Sequence, residues 1–361
     1  MKVLTLTTQY ANNMGALLQC YALSRFINGI DGLECQVINY HPKDANKSWT
    51  IFHKPSSVRD LAKICLAAIM IHRYPARFKR NREVRRFIKE FIPLTEQRYD
   101  HASIKTNPPL ADVYVCGSDQ IWNPDLFHDD LTYYFDFIYK GKKLAYAASA
   151  TKVWNKTFAG KIQSLLKDFS AISMREDVNL HQVSLLSGLN VYTAIDPVFL
   201  LSAEQWMSIA EEPSKKEPYI LCYFVGTDKH YNDIANLIRK KTGYKIVHLN
   251  VNLLSCVNAD YEIRDVHPQK FIGYIAKASY VLTNSFHCSA FSIIFKRNLK
   301  FIRKPQGNAR VEMLCKCFNL DNVIIGKTDK DIVLPTIYDN IQEGIEYIEQ
   351  SKQFIRDAIT K

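Results

Sequence analysis

A chain of 361 residues with 47% hydrophobic residues can build two cores, because single cores rarely grow beyond about 250–300 residues. Its composition excludes intrinsic disorder, and the longest apolar run, residues 64–71, is too short to span a bilayer. Residues 1–7 lack the apolar core of a signal peptide, and nine cysteines are an odd number. We therefore expect an intracellular protein with free thiols, whose charge of +11 suits an anionic partner or substrate.

The first half of the chain alternates between short apolar runs and amphipathic stretches. This pattern predicts strands at 3–7, 36–40, 112–116, 144–148, 171–174 and 191–195, a helix at 16–27, and two helices filling 57–91. A charged stretch with two prolines, residues 211–218, follows. Such composition is typical of a boundary between domains.

The alternation resumes after this stretch. It predicts strands at 219–225, 245–249, 280–283 and 299–302, helices at 231–241, 268–276, 287–295 and 309–318, and a long amphipathic helix at 337–359. Such alternation is typical of parallel sheets covered on both faces. We expect an α/β protein of two Rossmann-like lobes facing a cleft: 1–205 with a helical insertion near 57–91, 206–335, and a C-terminal helix at 336–361.

A basic block stands out within the predicted insertion. From Arg73 to Lys89 there are eight Arg or Lys residues and one acid, Glu83, directly after an apolar stretch. An apolar segment followed by a basic one suits contact with an anionic membrane. A buried helix followed by a solvated basic helix explains the same pattern, and both interpretations stay open.

Ligands in such folds bind beyond the carboxyl ends of strands, so the loops there are the candidates for chemistry. Asn13 and Gly15 begin a helix, where a cap or an anion site is expected. The loop 117–123, Gly-Ser-Asp-Gln-Ile-Trp-Asn, mixes hydrogen-bonding and stacking side chains as a sugar site does. Its alternative interpretation is a turn and helix cap.

Two further loops carry a cation or a titratable group. Arg175 follows a strand and could bind a phosphate or carboxylate through two of its guanidinium nitrogens. Alternatively, it could pair with Glu176 on the surface. His287 begins a helix after the strand 280–283, where the helix dipole lowers its proton affinity. A structural histidine is the alternative.

Taken together, these motifs resemble those of the polysaccharide pyruvyl transferase family. The resemblance covers about residues 1–325 and rests on 13–16, 117–123, Tyr-Ala-Ala-Ser at 146–149, Ser-Met-Arg-Glu at 173–176, Asp-Pro at 196–197, Ser-Phe-His at 285–287 and Asn-Ala-Arg at 308–310. The stretch Gly-Ser-Asp-Gln-x-Trp-Asn is the most specific of these motifs.

The resemblance implies a GT-B-like transferase that uses phosphoenolpyruvate as co-substrate, with no cofactor and no metal. The implied acceptor is a sugar on a polyprenyl lipid or a growing polysaccharide of a capsule or exopolysaccharide. The product is a cyclic pyruvate ketal, and phosphate is released. We then expect a cytoplasmic protein at the inner face of the membrane.

The expected roles divide between the two lobes. His287 and Asp119 are the predicted catalytic residues, with acid and base roles left open. Predicted donor-binding residues are Arg175, Arg310, Ser285, Asn13, Gly15, Lys304 and Arg303. Predicted acceptor-binding residues are Ser118, Gln120, Trp122 and Asn123. Some family members carry an arginine where this chain has Ser285, so other cations must meet the donor's charge.

Two rival functions fit part of the pattern. A GT-B glycosyltransferase using a sugar nucleotide would share the fold, but the sequence shows no clear site for its base and ribose. A nucleic-acid binder could use the basic block, yet no nucleic-acid motif is present and the block has few interleaved aromatics. We expect no nucleic-acid partner.

Overall fold

The structure is a computed structural model. It describes residues 1–43, 45, 49–50, 61, 64–65, 68–70, 73–127, 130–214, 216–305, 307–326 and 332–361. Part of the first of the two helices predicted within 57–91, and three residues of the apolar stretch 64–71 (66, 67 and 71), lie outside these residues. All nine cysteines are free thiols, and six of them are buried.

The chain divides into two compact units. Unit 1 consists of Met1–Asn46, Ile88–Leu201 and Gln342–Lys361, and unit 2 of Lys47–Phe87 and Ser202–Ile341. Each unit contains one parallel sheet, so the predicted α/β class with two Rossmann-like halves and a C-terminal helix is confirmed.

Unit 1 is built on a seven-stranded sheet. Its strands are β1 (Lys2–Leu6), β2 (Glu34–Tyr40), β3 (Leu94–Tyr99), β4 (Val113–Cys116), β5 (Lys142–Ala148), β6 (Phe169–Met174) and β7 (Tyr192–Thr193). Their spatial order is β3-β2-β1-β4-β5-β6-β7, all parallel. The order reverses between β1 and β4, so the loops after these strands flank the crevice where open α/β sheets bind ligands.

Unit 2 repeats this arrangement with six strands. They are β8 (Tyr219–Tyr223), β9 (Lys245–Leu249), β10 (Tyr261–Ile263), β11 (Tyr280–Thr283), β12 (Asn298–Ile302) and β13 (Ile324–Ile325). The order is β10-β9-β8-β11-β12-β13, again all parallel. The reversal here falls between β8 and β11, which places the loop before His287 at the corresponding crevice.

Helices cover the sheets. In chain order they are α1 (Met14–Asn28), α2 (Tyr74–Phe91), α3 (Ser103–Thr106), α4 (Pro124–Phe127), α5 (Lys156–Lys167), α6 (Leu180–Ser187), α7 (Ala203–Met207), α8 (Lys229–Thr242), α9 (Pro268–Lys277), α10 (Phe286–Ile294), α11 (Ala309–Cys317) and α12 (Gln342–Thr360). Short 3₁₀ turns occupy Thr132–Tyr134, Pro197–Leu200 and Asp321–Val323. Among the described residues, no helix is both long and apolar enough to cross a bilayer.

Continuous burial explains the central strands. All four residues of β4 are buried, as are all five of β8, because helices cover both faces of a doubly wound sheet. Terminal caps define the helices: Ser202 and Gln205 form a reciprocal capping box on α7, and Gly243 ends α8 in the left-handed conformation.

The partition of the chain differs from the predicted one in two places. Residues 47–87 belong to unit 2, not to the N-terminal lobe, because α2 pairs Lys79 Nζ with Asp265 Oδ2 at 2.6 Å. The C-terminal helix α12 belongs to unit 1, where Ser351 Oγ accepts a hydrogen bond from the Ile195 amide at 3.0 Å. Neither long-range contact has a local sequence signal.

Candidate functional site

The loops after β1 and β4 are tied together at the switch point of unit 1. Thr7 Oγ1 donates to the Ser118 carbonyl at 2.9 Å, and Thr8 Oγ1 donates to Asp119 Oδ2 at 2.8 Å. A Cβ at Gly117 would lie 3.1 Å from Thr7 Cβ, so glycine permits the close approach. Thr7 and Thr8, which the sequence did not single out, therefore hold the predicted loop.

Arg175 lies at the centre of a buried ion cluster. Its Nη1 donates to Asp196 Oδ2 at 2.7 Å and approaches Ser118 Oγ at 3.5 Å. Its Nη2 lies 3.9 Å from Asp119 Oδ1 and its Nε 3.8 Å from Glu176 Oε2. Burial alone would lower the pKa of Arg175, but Asp196, Glu176 and Asp119 outweigh that cost and the pKa is raised.

This cluster changes the interpretation of Arg175. Its side chain is 2% exposed and lies among three carboxylates, so the surroundings carry more negative than positive charge. An anionic donor is repelled by such surroundings. In this structure the guanidinium orders the loops of unit 1, and the expected grip on phosphate is not what its contacts favour.

Glu176 organises the neighbouring loop after β5. Its buried Oε1 accepts hydrogen bonds from Ser149 Oγ, Ala150 N and Thr151 N, each at 2.8 Å. From the sequence, Glu176 was expected only to pair with Arg175. Its position at the end of a strand, directly after Arg175, is the feature that could have indicated a role in the loop.

Three non-glycine residues adopt positive φ at this edge of the sheet. They are Asp119 (φ 77°), Ala147 (φ 48°) and Thr151 (φ 59°). Each such conformation costs about 1–2 kcal/mol relative to the right-handed one, and such strain concentrates at functional sites. The carboxyl edge of β4 and β5 is therefore a candidate site on backbone grounds as well.

The predicted acceptor residues separate into two groups. Gln120 and Asn123 are linked, since Asn123 Nδ2 lies 3.2 Å from Gln120 Oε1 and donates to Thr151 Oγ1 at 2.9 Å. Trp122 is only 1% exposed, stacks on Tyr134 at 5.1 Å, and donates from Nε1 to the Tyr133 carbonyl at 3.2 Å. The expectation that Trp122 stacks on a sugar is corrected: its ring is part of the core.

Asn13 and Gly15 form a helix cap. Asn13 Oδ1 accepts from the amides of Gly15 at 2.9 Å and Ala16 at 3.3 Å. These amides therefore already have an acceptor at the start of α1. The contacts match the cap interpretation of this loop, and an anion there would compete with the Asn13 side chain.

Asn284 joins the two loops at the switch point of unit 2. Its Oδ1 accepts from the Val225 amide at 2.8 Å, and its Nδ2 donates to the Val225 carbonyl at 3.0 Å and to Tyr231 Oη at 2.8 Å. Thr283 Oγ1 donates to the Tyr223 carbonyl at 2.6 Å. Both side chains are fully buried, so the residues that follow are held on a rigid base.

His287 occupies the first turn of α10. Ser285 caps this helix, with its Oγ 3.5 Å from the Cys288 amide. The rings of Phe286 and His287 meet edge to face at 5.1 Å, and Arg310 Cζ lies 5.7 Å from the Phe286 ring centroid on the cation–π side. The structure thus brings Ser285, His287 and Arg310 around one phenyl ring.

Lys304 joins this group and Arg303 does not. Burial and the positive charge of Arg310 both lower the pKa of Lys304, so the two cations are neighbours. Among the described residues, no carboxylate pairs with the Lys304 ammonium. Arg303 is exposed and donates from Nε to Glu312 Oε1 at 2.8 Å. Arg303 therefore already has a carboxylate partner on the surface.

Lys300 is a further unusual cation that the sequence analysis did not consider. It lies on β12, is 0% exposed, and its Nζ has no hydrogen-bond partner among the described residues. Burial lowers the pKa of its ammonium to about 8. A lysine inside the apolar strand Asn-Leu-Lys-Phe-Ile was a visible signal.

The carboxyl-edge loops contain no obvious metal centre. Within the part of the chain that the structure describes, no group of three or more His, Cys, Asp or Glu side chains is arranged to hold a metal ion.

The chain is similar to several solved structures at low sequence identity. UDP-GlcNAc 2-epimerase from Neisseria meningitidis is 11% identical, with 99% of each chain covered and a TM-score of 0.45. The E. coli heptosyltransferase WaaC is 14% identical over 99% of this chain and 100% of its own, with a TM-score of 0.41. The UDP-GlcNAc 2-epimerase from Methanocaldococcus jannaschii is 11% identical, fully covered on both sides, with a TM-score of 0.46. No curated protein matches the chain.

Two doubly wound units with polar loops at both switch points define an α/β protein of the two-Rossmann-unit class. Residues 13–298 match the polysaccharide pyruvyl transferase family, and the chain belongs to that family. The match confirms the family expected from the loops, and it identifies the protein as a transferase enzyme of polysaccharide biosynthesis.

Proposed function

We propose that this enzyme transfers pyruvate from phosphoenolpyruvate to two hydroxyls of one sugar, as a cyclic ketal, and releases phosphate. The acceptor sugar is carried on a polyprenyl lipid or a growing capsule or exopolysaccharide chain. The observation that carries the proposal is the group around Phe286: a histidine, His287, and two neighbouring cations, Lys304 and Arg310, at the carboxyl edge of the unit 2 sheet.

The two cations suit the charge of the donor. Phosphoenolpyruvate carries a carboxylate and a phosphate, and cations with few competing carboxylates are the groups that hold such an anion. Lys304 and Arg310 repel each other, since burial and then the charge of Arg310 lower the pKa of Lys304. A bound anion would offset this repulsion, because each positive charge would then face a negative one.

The reaction needs two proton transfers. Donor C3 gains a proton while the first sugar hydroxyl adds to C2 and loses its own proton. The second hydroxyl then attacks C2, the bond from C2 to the phosphate oxygen breaks, and the hydroxyl proton leaves with phosphate or through a base. His287 is the proposed proton carrier of this sequence, since an imidazole can both accept and donate a proton.

The unit 1 loop is the proposed acceptor site. Ser118, Gln120 and Asn123 supply hydrogen-bonding groups of the kind that sugars need, and Asp119 is the proposed second proton carrier. Asp119 Oδ2 accepts from Thr8 Oγ1 at 2.8 Å, which holds the carboxylate in one orientation. We assign Arg175 to ordering this loop rather than to the donor.

The basic face of α2 is the proposed membrane contact. Arg82 and Arg86 on this helix have side chains that are 75% and 66% exposed. Such residues add about 1 kcal/mol each near an anionic leaflet. Sedimentation with anionic vesicles should show binding that fades with salt and with Arg82→Glu and Arg86→Glu. Equal recovery with neutral and anionic vesicles would contradict the contact.

A product assay tests the transfer itself. The protein is incubated with phosphoenolpyruvate and candidate lipid-linked sugars, and the product is weighed by mass spectrometry alongside released phosphate. Addition of one pyruvate ketal with equimolar phosphate is the expected result. Transfer of a hexose from a sugar nucleotide, with no change caused by phosphoenolpyruvate, would instead establish the glycosyltransferase alternative.

A further inference from the structure

A pocket rich in arginine lies in unit 2, apart from the group around Phe286. It is lined by Arg73, Tyr74, Arg77 and Arg80 from the start of α2 and by Arg264 and the loop 250–253, and it encloses about 70 Å³. A water takes about 30 Å³ in the liquid, so the pocket admits a group of phosphate size. The sequence motifs did not point to it.

Helix periodicity brings two of these arginines together. Arg77 and Arg80 stand three residues apart, which places them on one face of α2, and Arg73 directly precedes this helix. The opposite wall follows β9, and Arg80 is close enough to Tyr223, at the end of β8, for their charges to interact. The pocket therefore lies at the carboxyl edge of the sheet, where such folds bind ligands.

The wall after β9 is pre-organised by asparagine side chains. Asn252 Nδ2 donates to the Phe224 carbonyl at 2.8 Å, and its Oδ1 accepts from the Gly226 amide at 3.1 Å. Asn250 is 1% exposed, and its Oδ1 accepts from the Asn252 amide at 2.8 Å. A wall held in this way costs a ligand little entropy of ordering.

The positive charge in the pocket exceeds the negative charge. Glu262 is bound by Arg264, with Nη2 to Oε1 at 3.0 Å and Nε to Oε2 at 3.1 Å, and so is already neutralised. Nearby Asp265 is held by Lys79 at 2.6 Å and Lys270 at 2.9 Å. No carboxylate among the described residues pairs with Arg77 or Arg80.

Arg77 and Arg80 retain unused donors. The Nε atoms of Arg77 and Arg80 are buried and have no acceptor among the described residues, although Arg77 Nη2 donates to the Thr50 carbonyl at 2.8 Å. Burial, and then the charge of Arg77, lower the pKa of Arg80. Buried donors without acceptors are costly, and an oxyanion would satisfy them.

We propose that the pocket formed by Arg73, Arg77, Arg80 and the loop 250–253 binds a diphosphate group, as a site separate from that of the pyruvyl donor. A diphosphate could come from the lipid carrier of the acceptor sugar or from a soluble nucleotide. The lipid source rests on the proposed function, whereas binding of a diphosphate does not.

Calorimetric titration of the full chain with inorganic pyrophosphate tests the site. Arg80→Gln should raise the Kd about tenfold or more, since a hydrogen bond to a charged group contributes about 1.5–3 kcal/mol. Arg82→Gln removes the same charge from the same helix but outside the pocket, and should change the Kd less than about twofold. Arg80→Lys keeps the positive charge but loses the planar guanidinium that can donate two parallel hydrogen bonds. Its Kd should therefore lie between those of the wild type and Arg80→Gln.

Three results would overturn the proposal. One is no binding of pyrophosphate by a folded protein, and another is equal weakening by Arg80→Gln and Arg82→Gln, which would indicate general charge attraction. The third is full competition by phosphoenolpyruvate, which would make the pocket the donor site. Thermal melting of each variant shows whether a lost signal reflects unfolding, and Arg77→Gln provides a second test.

Two further binding experiments distinguish a lipid-linked diphosphate from a soluble nucleotide. Neutral vesicles containing an isoprenoid diphosphate should recruit the protein through Arg77 and Arg80 if the lipid headgroup is the ligand. Displacement of pyrophosphate by a nucleoside diphosphate, with no recruitment to those vesicles, assigns a soluble source; either result supports a diphosphate site. Because neither experiment requires turnover, a failed transfer assay and a failed pocket are separate outcomes.

Discussion

The loops at the carboxyl edges of the two sheets surround positive charge in opposite ways. In unit 1, Arg175 lies 2.7 Å from Asp196 and within 3.9 Å of Asp119 and Glu176, and these carboxylates raise its pKa. In unit 2, burial and then the charge of the neighbouring Arg310 lower the pKa of Lys304. Arg175 is neutralised by carboxylates inside the protein, whereas no carboxylate among the described residues pairs with Lys304.

This difference separates a structural cation from a ligand-binding one. A guanidinium already compensated by buried carboxylates gains little from an added anion, whereas neighbouring cations become more stable when an anion binds. Arg175 and Arg310 both follow loops that fit an anion site in sequence. Only their surroundings in the fold support the proposal that the donor binds in unit 2 and that Arg175 orders the loops of unit 1.

The largest effect is expected at His287. His287→Ala should lower kcat by about 10²–10⁴-fold, which is the usual contribution of a general acid or base. His287→Gln keeps a hydrogen-bonding group but does not titrate, so it should be equally slow and should flatten one limb of the pH–rate profile. The exposed His181→Gln is the matched control. Near wild-type turnover in His287→Gln would assign this histidine a structural role.

Arg175→Ala tests the structural side of the comparison. Removing one partner of a buried ion cluster typically costs about 3–5 kcal/mol, because the carboxylates are left uncompensated. Urea unfolding should therefore show a loss of that size, while the KM for phosphoenolpyruvate in the remaining folded protein changes little. A stable variant with a sharply raised donor KM would restore the sequence-based role of Arg175 and remove the contrast between the units.

Arg310→Ala and Lys304→Met test the ligand-binding side. Each substitution should lower kcat/KM for phosphoenolpyruvate about thirtyfold or more, which corresponds to a loss of roughly 2–4 kcal/mol of transition-state stabilisation. The free energy of unfolding should change little. Arg303→Ala is the matched control, because Arg303 is exposed and paired with Glu312. Steady-state kinetics with equal losses in all three variants would point to general attraction of the donor rather than a built site.

The smallest effect is expected at Lys300, a buried cation whose Nζ has no hydrogen-bond partner among the described residues. Its folded-state pKa of about 8 lies below the ordinary 10.5, so the folded state disfavours its charge. That penalty is present in full below about pH 8 and disappears as the pH rises towards 10.5. Lys300→Met should stabilise the protein by roughly 1–3 kcal/mol at pH 7. A gain that does not shrink in unfolding curves near pH 10 would disprove this cause.

Much of the fold was predictable because apolar periodicity is a local property. Strands β9 and β11 were predicted with their observed ends, and α9 to within one residue. Strands β3, β10 and β13 and helices α3, α4, α5, α6 and α7 were missed. β10 and β13 are short, and β3 has the mixed composition Leu-Thr-Glu-Gln-Arg-Tyr, so none has a strong apolar pattern.

The candidate site was predicted in part for the same reason. Loops that follow strands can be located from sequence, which is how Asp119, Arg175 and His287 were found. Whether a side chain in such a loop faces a ligand or the core depends on contacts distant in sequence. Trp122 illustrates this, since its ring is buried against Tyr134, which lies twelve residues further along the chain.

By itself, the sequence determined the α/β class, the doubling of the Rossmann-like pattern, the loops that carry chemistry and, through their motifs, the family. These features depend on residues that are close to one another in the chain. Tertiary structure alone decided that α2 belongs to unit 2 and α12 to unit 1, that Arg175 is surrounded by carboxylates, and that Arg73, Arg77 and Arg80 line a pocket with the loop 250–253. Charge compensation and burial depend on which distant segments pack together, and local pattern does not encode that pairing.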